Sequence, residues 1–195
     1  MRVLVACEYS GVVRDAFIAK GHDAMSCDLL PTDSPGPHYQ GDVFDMIDYY
    51  NFDLMIAHPP CTHLAVSGAR HFAAKRESGV QQEALDFVRR LLDAPIKHIA
   101  LENPVSIISS AIRKPDQIIQ PWMFGHAETK STCLWLKNLP LLTETNNVRE
   151  YMMTLTKAER NRVHYASPGP DRWKLRSTTY TGLAAAMADQ WDSLR

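Results

Sequence analysis

Paired cysteine spacing, a charge excess and a long apolar run are all missing from this 195-residue chain, and each absence removes a class of protein. The four cysteines, Cys7, Cys27, Cys61 and Cys133, lie far apart, so neither a disulfide framework nor a CxxC zinc knuckle is supported. Free thiols in a reducing compartment are the simplest reading. The opening run "MRVLVACEYSG" meets Glu8 too soon for a signal or membrane segment, which predicts a soluble, cytoplasmic protein with no membrane partner. A formal charge of −1 gives no overall pull toward nucleic acid, and no repeat or low-complexity tract interrupts the chain. With 45% hydrophobic residues the chain can build one core, and a single domain over residues 1–195 is expected.

The charge that is present is unevenly spread. Residues 1–60 carry three basic and nine acidic residues, whereas residues 149–176 carry seven basic residues against three acidic ones. Either both stretches are solvated surface, or an acid-lined pocket lies beside a basic docking surface.

Short apolar runs alternate with amphipathic stretches, which implies βαβ units. Strands are expected at "RVLVAC" (2–7), "DAMSCD" (23–28), "FDLMIA" (52–57), "KHIALE" (97–102) and "STCLWL" (131–136). Helices are expected from the first turn to Lys20, over 77–94, where Val80, Ala84, Phe87, Val88, Leu91 and Leu92 recur at helical spacing, and over 181–194. The stretch "SPGPDRW" (167–173) reads as a loop. Together these predict an α/β fold, an open and mostly parallel sheet with helices on both faces. In that architecture ligands sit beyond the carboxyl ends of the strands. The rule collects "CEYSG" (7–11), Asp28, "HPPC" (58–61) and "ENP" (102–104) on one rim.

Several of these residues invite chemistry. The turn Cys7, Glu8, Tyr9, Ser10, Gly11 enters the first helix where nucleotide-like ligands commonly bind, although with one glycine it lacks the GxGxxG fingerprint and a plain strand-to-helix turn is the competing reading. Asp28 can accept hydrogen bonds from ribose hydroxyls, with Asp42 as a further acceptor; taken singly, each acid reads as surface. Cys61 could be a metal ligand, a buried thiol or a nucleophile. His58 and His63 crowd it too closely for zinc, with no second cluster to complete a tetrahedral set, so no metal is expected. The two prolines stiffen the loop that presents the thiol at the rim, which suits a nucleophile. Glu102 closes the apolar "IALE" at the same rim. It is either a buried acid bonded to loop amides or an acid whose raised pKa lets it share a proton with a substrate ring nitrogen.

The order of these motifs resembles the DNA cytosine-5 methyltransferases, and short phage-encoded members lacking a full target-recognition domain look most similar over nearly the whole chain. "CEYSG" looks like a divergent cofactor loop retaining Gly11, "PPC" (59–61) resembles the Pro-Cys nucleophile loop, and "ENP" resembles the Glu-Asn-Val motif. The resemblance implies a Rossmann-like class I S-adenosylmethionine-dependent methyltransferase sandwich. It assigns cofactor binding to Cys7, Glu8, Tyr9, Ser10, Gly11, Asp28, Leu29, Asp42, Val43, Pro59 and Thr181, and catalysis to Pro60, Cys61, Glu102 and Asn103. "FGHAETKSTCLWL" (124–136) lies where the family carries Gln-x-Arg-x-Arg, with Glu128, Lys130 and Thr132 at the anchors. Lys130, Thr132, Arg172, Lys174 and Arg176 are the expected substrate contacts, and the segment from about 176 to 195 is expected to return to the cofactor pocket.

Only 43 residues separate Leu136 from Tyr180, where full-length members hold a large recognition region, so specificity is expected to be weak or supplied by a partner protein. The implied acceptor is cytosine in DNA, within a bacterial cell or phage-infected host. Two other readings stay open: a non-catalytic nucleic-acid or partner-binding module, and methylation of another pyrimidine acceptor such as a nucleotide. An amino-group methyltransferase fits less well, because "HPPC" has a thiol where that chemistry needs a stacking aromatic.

Overall fold

The computed structural model describes residues 1–192. It is a mixed α/β structure on a seven-stranded sheet. In chain order the strands are β1 (Arg2–Ala6), β2 (Asp23–Asp28), β3 (His38–Gln40), β4 (Leu54–Ala57), β5 (His98–Pro104), β6 (Gln117–Ile119) and β7 (Thr132–Lys137). The helices are α1 (Val12–Ala19), α2 (Val43–Tyr49), α3 (Phe72–Glu77), α4 (Val80–Leu92), α5 (Ile108–Ala111), α6 (Arg149–Thr154), α7 (Lys157–Arg160), α8 (Arg162–Tyr165), α9 (Arg172–Ser177) and α10 (Thr181–Gln190). The spatial order is β3-β2-β1-β4-β5-β7-β6. The first five strands run parallel, while β7 is antiparallel to both β5 and β6.

Period-two alternation along the strands feeds two cores. Leu4, Ala6, Met55, Ala57, Ile99 and Leu101 point to one face, where α2, α4 and α5 bring Phe44, Ile47, Leu85, Val88, Leu91 and Ile108. Val3, Val5, Leu54, Ile56 and Ala100 point to the other, where α1 and α10 bring Val13, Phe17, Leu183, Met187 and Trp191. With both faces covered, the inner strands read as continuous apolar runs. At α10 a close approach demands glycine: a Cβ on Gly182 would run into the carbonyl oxygen of Phe124.

Some boundaries differ from expectation. The helix expected over 77–94 starts only at Val80, because Gly79 takes a left-handed φ of +81° and separates α4 from α3, which ends at Glu77. The segment 167–173 is not all loop, since α9 starts at Arg172. The short strands β3 and β6, three residues each, carry no pattern long enough to read. The last helix ends at Gln190, and its expected continuation through residues 193 and 194, like the end of the expected domain, lies outside the described residues. No helix among the described residues is long and apolar enough to cross a membrane.

Candidate active site

Strand register lines up the rim. Ala6 pairs with Cys27 and with Ala57, and Ala57 pairs with Leu101. The residues one step further, Asp28, Cys7, His58 and Glu102, therefore form a row across four adjacent strands. At roughly 4.8 Å per strand the row spans about 14 Å.

At the β1 end, Cys7 has a positive φ of 58°, uncommon for a residue with a side chain, and it turns the chain sharply into the α1 approach. That turn drives Glu8 inward. Its carboxylate is buried and accepts the backbone N–H groups of Val13 at 2.7 Å and Arg14 at 3.3 Å and the Ser10 hydroxyl at 3.2 Å. Glu8 thus caps α1 from outside, because Gly11, at the N-cap position, has no side chain to do so. Gly11 itself is left-handed at φ +75° and packs on the guanidinium of the fully buried Arg14. Arg14 holds the 32–36 loop through the carbonyls of Ser34 at 3.1 Å and Pro35 at 3.3 Å. Tyr9 is buried too: its ring packs on Trp173 with centroids 5.1 Å apart, and its hydroxyl lies 3.1 Å from Ser177 Oγ.

Asp28 Oδ1 accepts the Leu30 N–H at 2.9 Å, and the neighbouring Leu29 is 74% exposed. Asp42 caps α2, accepting from Phe44 at 3.0 Å, while Val43 is buried beneath it. Burial raises the Cys7 thiol pKa first, and the charges of Asp28 and Asp42 add to it. Cys27 is pushed up to about 12 by burial and the same two acids. Both thiols stay protonated and serve as small apolar groups in an acidic corner.

The other half of the rim is built by the loop after β4. Pro59 is buried and Pro60 exposed, and the Asn103 side-chain amide donates to the Pro59 carbonyl at 2.9 Å, clamping the loop to β5. The Cys61 carbonyl accepts from Leu64 at 3.0 Å and Ala65 at 2.9 Å, which closes a turn beneath an exposed thiol-bearing residue. Partial burial and the charge of Glu102 raise the Cys61 pKa, against the opposing pull of Lys130 and Arg176. Those two cations are themselves joined, Lys130 Nζ donating to the Arg176 carbonyl at 2.8 Å.

Glu102 departs from the expectation of a raised acid. Burial pushes its pKa up, but the hydrogen bond and charge of His58, with Lys130 and the Thr132 hydroxyl, outweigh burial and hold the carboxylate below its ordinary range. His58 Nδ1 lies 3.2 Å from Glu102 Oε2. The sequence offers His58 as a metal partner of Cys61, yet its side chain turns toward the acid. Among the described residues no group of three or more His, Cys, Asp or Glu is arranged to hold a metal ion.

No protein-family model and no curated protein matches the sequence. Among solved structures, the chain is similar to a protein assigned as a DNA modification methyltransferase encoded within a prophage of E. coli, at 14% identity and a TM-score of 0.47. The match covers 70% of this chain and 46% of that one, so the chain spans less than half the length of this neighbour.

The remaining expected contacts divide. Lys130, Thr132 and Arg176 gather around Cys61 and Glu102. Lys174 instead pairs with Asp33, at 2.9 and 2.8 Å to its two oxygens, beside Tyr9. Arg172 is half-buried, away from solvent at its Nε. Thr181 faces His126, its hydroxyl 3.4 Å from Nε2, so the C-terminal segment meets the opening loop through Ser177 and Thr178. Glu128 is a latch: it accepts from Arg162 at 2.8 Å and from Tyr180 at 2.9 Å.

Proposed function

We propose that this chain transfers a methyl group from S-adenosylmethionine to C5 of cytosine in DNA through a covalent Cys61 adduct, on a Rossmann-like class I methyltransferase domain. The observation that carries the reading is an exposed cysteine on a proline-stiffened loop that Asn103 clamps to β5 through the Pro59 carbonyl at 2.9 Å, beside the Glu102 carboxylate of that strand, whose charge raises the thiol pKa.

The residues at the β1–β2 end suit the cofactor. Asp28 lies at the strand end with one oxygen engaged by a backbone N–H, which leaves the other for ribose hydroxyls. The exposed Leu29 offers an apolar surface for a purine ring, and Asp42 an acceptor for its amino group. Glu8 and Tyr9 would act by holding the opening turn. The segment from 176 onward would complete the pocket through Ser177 and Thr178. When bound, the cofactor supplies an electrophilic methyl group on a sulfonium.

The chain's own residues do the rest. Cys61, as thiolate, adds to C6 of the pyrimidine while Glu102 engages N3, so electron density moves to C5. Methylation at C5, loss of the C5 proton and release of Cys61 then restore the ring. Lys130, at one of the positions where the family carries an arginine, and Arg176 favour the thiolate. A duplex base would have to be flipped out to reach this site. The exposed Lys157 and Arg176 would contribute phosphate contacts, and sequence discrimination would be weak or come from a partner.

The test is incubation with tritiated methyl donor and duplex DNA, single-stranded DNA, RNA or nucleotides, followed by trapping on DNA carrying 5-fluorocytosine, whose fluorine cannot leave as a proton does. Cys61→Ser should abolish trapping and turnover while keeping cofactor affinity. A serine variant that methylates as well as the parent would make Cys61 structural.

A further inference from the structure

We propose that His58 is a positioning residue for Glu102, and that the two act as one unit which lends a proton to the pyrimidine ring; this rests on the reading above. Strand register carries the argument. Because Ala57 pairs with Leu101, His58 and Glu102 are neighbours by construction, and Nδ1 meets Oε2 at 3.2 Å. Both side chains are largely withdrawn from solvent, at 10% and 16% exposure, so the contact is not a screened surface pair. Among the described residues His58 Nε2 is buried with no hydrogen-bond partner, so the ring is anchored through Glu102.

An ionised Glu102 engaged with N3 has no proton of its own to give, and the partner on its other side is the only imidazole in the row. Addition of the Cys61 thiolate forms the S–C6 bond. As it does, N3 takes a proton through Glu102, and the carboxylate is made good from His58 Nδ1. When the C5 proton has left to water and the S–C6 bond breaks, the N3 proton returns by the same path. One proton is released per methyl transferred, and Cys61, Glu102 and His58 return to the states in which they began. The charged and titratable groups around the pair are Lys130 from the segment before β7, Thr132 and Cys133 from β7, Cys61 from the loop after β4, with Arg176 of α9 beyond it, and Cys7 beside His58 in the row.

The experiment compares kcat against pH for the parent chain and His58→Gln, whose amide keeps a hydrogen-bond donor for Glu102 but holds no exchangeable acid. The expected result is a loss of about 100-fold or more in kcat at neutral pH. Cofactor Kd should be unchanged, and a melting temperature above that of the assay should show that the variant is folded, although loss of a buried charge partner lowers it. The alkaline limb of the profile should move to lower pH, because Glu102 alone would hold the proton as a carboxyl group. Combining His58→Gln with Glu102→Gln should add little to the loss from Glu102→Gln alone, since both act on one path. Should His58→Gln fold poorly, His58→Asn serves in the same comparison. Methyl transfer by the parent with superimposable profiles in the variant, or with additive losses in the double variant, removes His58 from the mechanism and leaves the methyltransferase reading intact. Absence of transfer by the parent to any acceptor removes both.

Discussion

Glu8 offers a test that separates architecture from ligand binding. Its carboxylate is buried and accepts three hydrogen bonds, from Val13, Arg14 and Ser10. Replacing it with alanine removes the carboxylate cap of α1, worth about 0.5–2 kcal/mol, and leaves Ser10 Oγ, 3.4 Å from the Val12 nitrogen, as an acceptor at that end. It also leaves two backbone N–H groups near the sheet without partners, at about 1–3 kcal/mol for a buried orphan donor. Since part of this overlaps, a loss of about 2–4 kcal/mol is expected. For a chain of this size that corresponds to about 5–15 °C in Tm. Glu8→Gln keeps one acceptor oxygen but loses the charge facing the helix dipole, so about 1–2 kcal/mol is expected. Urea denaturation of both variants, with cofactor titration at low temperature where they remain folded, separates the roles. If Glu8→Ala changes stability by less than about 0.5 kcal/mol while abolishing cofactor binding, the side chain is a ligand contact and the capping argument fails.

Two further outcomes follow from the same geometry. Gly182→Ala should destabilise by about 1–3 kcal/mol despite the better helix propensity of alanine, because its Cβ meets the Phe124 carbonyl; a variant with raised Tm would show that α10 can shift freely. With its pKa raised by partial burial and by Glu102, the Cys61 thiol should react with iodoacetamide more slowly than free cysteine at pH 7 and faster as pH rises. Glu102→Gln should speed that reaction by removing a negative charge, and Lys130→Met should slow it by removing a positive one. The reverse order would contradict the electrostatics described.

The sheet was legible because its inner strands are buried on both faces, so "RVLVA", "LMIA" and "HIAL" stand out as unbroken apolar runs. The limits of β2 match the run "DAMSCD". What escaped was set by tertiary contacts. β3 and β6 owe their existence to partners in β2 and β7, and three residues hold no period to detect. α3 and α9 bury none of their residues, so they carry no amphipathic stripe. Gly79 could pass for a tolerated helical glycine until its left-handed backbone is seen to set the start of α4.

For the site, the sequence names residues but not directions. Glu8 sits in a turn that resembles a cofactor loop, and nothing local says that its side chain points under α1; that depends on the positive φ of Cys7. Lys174, read as a substrate contact, is held by Asp33, 141 residues away in sequence. His58 is the instructive case. It follows one buried strand and Glu102 interrupts another, each the first polar residue after a run of apolar ones, and that coincidence is visible in the sequence. Converting it into a contact needed the knowledge that β4 and β5 are neighbours in parallel register. Once Ala57 is set against Leu101, the pairing of His58 with Glu102 is forced, and an acid that the sequence offers as raised is held below its ordinary range, despite burial, by the histidine beside it. The chemistry of the rim is therefore decided by strand order, because the same residues on non-adjacent strands would leave Glu102 buried without a charge partner and raise its pKa instead.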